Sequence, residues 1–170
     1  METVVGLFTG YEDADRAVTD LTLRGFDRST IGVVASEAAV AGRQDLVAKE
    51  PVDLVEGTSD GAVLGGLAGL LVGVVALVIP GVGPLFVAGA LASVVTSTLA
   101  GAMVGGVTGG LFGALSDLGL PEADAKLYSE GVTAGGVIVT VNTDRGEEAR
   151  DILRAANATN VNEPLAMAGR

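Results

Sequence analysis

The chain contains no cysteine, no histidine and no tryptophan. Without cysteine there is no disulfide framework, no thiolate metal site and no sulfur nucleophile. Without histidine, the side chain that ordinarily moves protons near neutral pH is missing. Basic residues are scarce as well. Ten Lys and Arg stand against 21 Asp and Glu, giving a net charge of −11. That balance argues against nucleic acid, which requires a basic face. No Walker-type Gly-Lys-Ser/Thr occurs, and Gly81-Val82-Gly83 lacks the third glycine and the strand-to-helix setting of a dinucleotide fingerprint. No catalytic residue, cofactor-binding residue or metal ligand set is expected. The acids Glu50, Asp53, Glu56 and Asp60 read as a solvated linker, without the spacing of a calcium loop.

What the chain has in excess is glycine, 26 of 170 residues, and apolar side chains. Their distribution is uneven. From Gly61 to Ser116 there are 56 residues with no Lys, Arg, Asp or Glu. Acids bracket this block: Glu50, Asp53, Glu56 and Asp60 before it, and Asp117, Glu122, Asp124 and Glu130 after it. The phrase Ile79-Pro80-Gly81-Val82-Gly83-Pro84 divides it. Proline removes a helix hydrogen bond and glycine tolerates turn geometry, so Pro80, Gly81, Gly83 and Pro84 predict a hairpin turn. The arms on either side, about Gly61–Ile79 and about Leu85–Leu115, predict helices. Crossing a bilayer takes about 20 apolar residues, a length the first arm just reaches.

Small residues recur every four positions in both arms. The first has Gly61, Gly65, Gly69 and Gly73. The second has Gly89, Ser93, Ser97, Gly101, Gly105, Gly109 and Gly113. At 3.6 residues per turn such a step stays near one helix face. The expectation is a pair of small-residue grooves that let helix backbones pack closely, as in membranes. Each glycine weakens an isolated helix by about 1 kcal/mol relative to alanine. The segment therefore suits lipid or a tight assembly.

The polar arms carry a different pattern. Val4–Phe8 reads as a strand. Ala14, Ala17, Val18 and Leu21 follow the i, i+3, i+4, i+7 spacing of an amphipathic helix, closed by Gly25-Phe26. Thr30–Ala35 reads as a second strand. In the other arm Pro121 opens a short helix, Gly136–Val141 is the strongest strand, and Asp144–Ala156 is a helix. Val161 belongs to a weak last strand. Two β-α-β units predict an α+β, ferredoxin-like βαββαβ domain. The organisation is then residues 1–36, the first half; 37–60, an acidic linker; 61–116, a hydrophobic helical hairpin inserted between strands 2 and 3; and 117–170, a helix, the second half and a tail.

Several of these phrases resemble the bacterial general stress protein family, whose members are also described as heat-induced or low-temperature-induced stress proteins. The similarity is carried by Val4–Phe8, Glu12-Asp13-Ala14, Gly25-Phe26 and Ile31–Val34. It continues through Gly61–Gly69, Ile79–Pro84, Leu118–Ala125, Tyr128 and Gly136–Val141. The resemblance implies a stress-associated bacterial protein and brings no catalytic residues with it. The expected function is non-enzymatic self-assembly through a glycine-zipper hairpin. On the first reading the hairpin sits in the cytoplasmic membrane. Both termini are then cytoplasmic, and the partners are the chain itself and the lipid bilayer. The alternative is a water-soluble cytoplasmic homo-oligomer in which hairpins bury one another. No basic n-region precedes an apolar stretch, so no signal peptide is expected.

Overall fold

The structure, a computed structural model, describes residues 1–41, 75–79, 83–91, 110–117 and 119–162. It is a mixed α+β fold built on one antiparallel sheet. The elements run β1 (Glu2–Phe8), α1 (Tyr11–Leu23), a 3₁₀ turn (Arg28–Thr30), β2 (Ile31–Ser36), β3 (Val75–Ile79) and β4 (Gly83–Gly89). They continue with α2 (Gly110–Asp117), α3 (Glu122–Thr133), β5 (Val137–Thr143), α4 (Gly146–Ala155) and β6 (Asn160–Val161). The strand order is β3-β4-β2-β5-β1-β6. β5 lies between β1 and β2, with Val4 opposite Val141 and Val33 opposite Val139.

Helices cover both faces. α1 and α4 pack on one face through Ala14, Ala17, Val18, Leu21, Ala149 and Leu153, against Val4, Phe8, Val33 and Val139. α2 and α3 pack on the other through Leu111, Leu115, Ala125, Tyr128 and Val132, against Val5, Val34, Val87 and Ile138. Strands with two covered faces need apolar residues on both, so β2 and β5 read as continuous apolar runs rather than alternating ones.

The helix ends follow from local chemistry. α1 closes where the Gly25 amide donates to the Thr22 carbonyl and the Phe26 amide to that of Leu21, both at 3.0 Å. Gly25 has φ +80°, a left-handed position that glycine takes without steric cost. Phe26 then buries against the core. Asn157, at φ 67°, performs the same reversal after α4. Asparagine is the side chain that best tolerates that geometry after glycine.

The apolar block departs from the helical expectation. Val75–Ile79 and Gly83–Gly89 are strands, paired antiparallel from Val75↔Val87 to Ile79↔Gly83. The arms flanking the turn are therefore not helical there. A short apolar run does not distinguish a buried strand from a buried helix by periodicity. Val75, Val78, Ile79 and Val87 are β-branched, a composition that suits a pleated surface. The reversal between Ile79 and Gly83 falls within the proline-glycine phrase. Helix does appear at the block's far end, in α2. Among the described residues no helix is long and apolar enough to cross a membrane.

Candidate functional site

Most of the small-residue register lies outside the described residues: Gly61, Gly65, Gly69, Gly73, Ser93, Ser97, Gly101, Gly105 and Gly109, together with Pro80 and Gly81 of the turn. Four of the positions singled out are described. Gly113 lies in α2. Gly83 and Pro84 open β4, and Gly89 ends it.

Gly89 does not belong to a helix face. Its φ is +68°, and a Cβ there would collide with the Ile31 carbonyl oxygen and crowd Gly32 Cα at 3.3 Å. Glycine is required because the end of β4 runs directly against the backbone at the start of β2. The close approach at Gly89 is of strand against strand, not of helix against helix.

The sheet has two unlike edges. The difference follows from alternation, because each residue in an antiparallel strand directs its N–H and C=O to one side. Leu7 and Val5 carbonyls accept from Thr159 (2.8 Å) and Asn162 (3.0 Å), so odd residues of β1 face β6 and even ones face β5. Through Gly6↔Val139, Thr140↔Gly32, Val33↔Ala88 and Leu85↔Leu77, this parity carries across the sheet. It assigns Val75, Leu77 and Ile79 to bonding with β4. Ala76 and Val78 are left with their amides and carbonyls directed outward. Pro84, which has no N–H, falls on the parity that asks no bond of β3. Among the described residues β3 pairs with β4 alone, and it is a strand of five uncharged residues, Val-Ala-Leu-Val-Ile.

The β6 edge is short. β6 has two residues, and beyond it the Asn162 side chain continues the ladder. Its Oδ1 accepts from the Val5 amide at 2.7 Å and its Nδ2 donates to the Thr3 carbonyl at 3.0 Å. The Asn162 carbonyl is taken by Arg150 Nε at 3.1 Å. The Arg150 side chain is 1% exposed and is held by two carboxylates. Nη2 lies 2.5 Å from Glu2 Oε2, and Nη1 lies 3.0 Å from Glu147 Oε1. A Cβ on Gly146 would collide with the Glu2 carboxylate, so glycine at the head of α4 makes room for this clasp. Only a faint sign marks Arg150 in the sequence, its place on α4 beside Ala149 and three residues before Leu153. Nothing in the spacing linked it to Glu2.

Tyr128 on α3 is fully buried, and its hydroxyl donates within a pair of acceptors, the Val5 carbonyl (3.2 Å) and Asn160 Oδ1 (2.9 Å). Burial, and secondarily the Asp124 charge, push its phenol well above the ordinary value near 10. The folded state therefore holds a proton that the unfolded chain releases. Stability from this group is complete below pH ~10 and falls as pH rises further. Tyr128→Phe is expected to cost about 1 kcal/mol at neutral pH and to flatten the loss of stability between pH 9 and 11. Urea titrations across that range check it, and an unchanged slope would contradict the assignment.

A cleft of about 190 Å³ lies where β1 ends, lined by Leu7, Phe8, Thr9, Gly131, Ala134, Gly136 and Thr159. No charged side chain converges on it. Among the described residues no group of three or more acidic side chains could hold a metal ion. The feature best suited to act on another molecule is therefore the outer edge of β3. No family model matches the chain, and neither a curated protein nor a solved structure does.

Proposed function

We propose that this protein is a non-enzymatic, stress-associated protein whose action is self-association through its charge-free segment. The observation that carries this reading is the position of Val75–Ile79, an uncharged strand at the outer edge of the sheet. Among the described residues β3 has no partner on its outer side, and an edge strand is a template for pairing with another chain. The ferredoxin-like arrangement belongs to the same proposal. The order β6-β1-β5-β2, with α1 joining β1 to β2 and α4 joining β5 to β6, supports it. The hairpin β3–β4 is then an extension of that unit beside β2. The link to stress rests on the family resemblance, as does the bacterial origin.

Of the two settings, a water-soluble homo-oligomer is favoured over a bilayer-inserted hairpin. β4 pairs with β2 over Gly32–Ser36, so the middle of the charge-free segment is tied into the sheet formed by the polar arms. The lipid reading keeps the support of the 56 uncharged residues. Detergent-free fractionation followed by sedimentation velocity separates them. A discrete soluble oligomer is expected. Protein that pellets with membranes, and is released by detergent but not by salt or carbonate, would establish the lipid setting. A soluble monomer at every concentration would refute self-association.

A further inference from the structure

We propose that two copies of the chain join through β3, antiparallel, about a two-fold axis at Leu77, so that their sheets become one; this deepens the self-association reading and rests on it. The outward-facing residues are Ala76 and Val78, one on each side of Leu77. A two-fold at Leu77 sets Ala76 of one copy opposite Val78 of the other, and Val78 opposite Ala76. Residues that face each other with outward amides and carbonyls exchange both main-chain bonds. The strand is thus complementary to itself in this register.

Three further observations select a second copy as the occupant. Proteins blunt sheet edges with lysine, proline or bulges, and β3 has none of these in its regular pairing from Val75↔Val87 to Ile79↔Gly83. The chain carries −11 in all, so two copies repel each other on net charge. The charge-free hairpin is where a contact adds no like-charge pairs to that repulsion. Finally, the opposite edge is β6, a strand of only two residues, beyond which Asn162 takes the main-chain groups of β1 at Val5 and Thr3. A head-to-tail contact of β3 on β6 would add chains without limit, but a two-residue strand is too short a ladder to hold it. What remains is an isologous interface, which ends at two copies.

The test uses the full chain without detergent. Sedimentation velocity is expected to show a monomer–dimer equilibrium. The double variant Ala76→Pro/Val78→Pro removes both outward amides and leaves the bonds of Val75, Leu77 and Ile79 to β4. Proline is tolerated on an edge in that position. The dimer dissociation constant is expected to rise about 100-fold, the loss of several hydrogen bonds of ordinary net strength, with circular dichroism unchanged. Leu77→Pro removes an inward bond and is expected to lower the melting temperature. A folded double variant that dimerises like the parent would overturn the proposal while leaving self-association standing. Growth beyond the dimer would overturn the two-fold closure. A parent that is monomeric throughout would refute both. Hydrogen exchange on the unsubstituted chain supplies an answer independent of folding of the variants. Protection of the Ala76 and Val78 amides should increase with protein concentration. Fast exchange at all concentrations, or protection independent of concentration, would overturn the pairing, the latter by assigning the edge to another segment of the same chain.

Discussion

Replacing Arg150 with alanine lowers the free energy of unfolding by about 2–3 kcal/mol, from the cavity left by a buried side chain and the lost bond to the Asn162 carbonyl. The side chain is 1% exposed and bonds at once to Glu2, Glu147 and the Asn162 carbonyl. Alanine leaves a cavity and an acceptor without its donor, while the half-exposed Glu2 carboxylate turns to water. Those penalties are distinct from the worth of the ion pair itself. Arg150→Met fills the volume and is expected to lose less, about half as much. Glu2→Gln keeps a hydrogen-bonding group of similar shape and is expected to lose about 1 kcal/mol. Urea unfolding of the three variants checks the order. Equal stability of Arg150→Ala and the parent would mean that the clasp contributes nothing.

Gly89→Ala produces the second large effect. A methyl group at φ +68° carries the left-handed penalty of about 1–2 kcal/mol, and it collides with the Ile31 carbonyl oxygen. A carbonyl held in a β-ladder cannot swing aside cheaply, so β4 must lift from β2 at its end. The expected total is roughly 2–4 kcal/mol, a fall in melting temperature of about 5–15 °C for a chain of this size. Gly25→Ala, at φ +80° with open space around its missing Cβ, is the matched control. It carries the conformational penalty without the collision. If the two variants melt together, the close approach of β4 to β2 is not what requires glycine at position 89.

Gly89 also shows where the sequence is informative and where it misleads. The elements of the polar arms were legible, because their signals are local. Ala14, Ala17, Val18 and Leu21 mark one helix face, Gly25-Phe26 marks its end, and Val137–Val141 is too β-branched for a helix of that length. The charge-free block has no such local contrast. Where every residue is apolar or small, no polar face reveals the period, and a four-residue glycine spacing suggests a helix. Gly89 fits that spacing with Ser93 and Ser97, yet its requirement comes from Ile31, a residue far away in sequence. The candidate edge was illegible for a related reason. Val75–Ile79 is apolar whether it is buried in a bilayer, in a bundle or at a sheet margin. Only the pairing register shows that Ala76 and Val78 are the residues that face outward. Arg150 was missed because an arginine on an amphipathic helix is ordinarily solvated, and its partners Glu2 and Asn162 are brought to it by the meeting of β1 and β6.

The position of β5 has a consequence for how the chain is made. β1 and β2 leave the ribosome well before β5, but they do not pair with each other; each pairs with β5, which separates them. Until residue 143 has emerged, the nascent chain holds two apolar strands with no central partner, followed by a long stretch without charge. Contacts that distant in sequence form slowly, and the loop entropy is lost before the pairing returns it. Each newly made copy therefore passes through an interval in which β2 and the β3–β4 hairpin are sticky and unfinished, at the concentrations where such intermediates aggregate. A cell making this protein quickly would have to shield that interval, and the rate of translation between β4 and β5 becomes a determinant of yield.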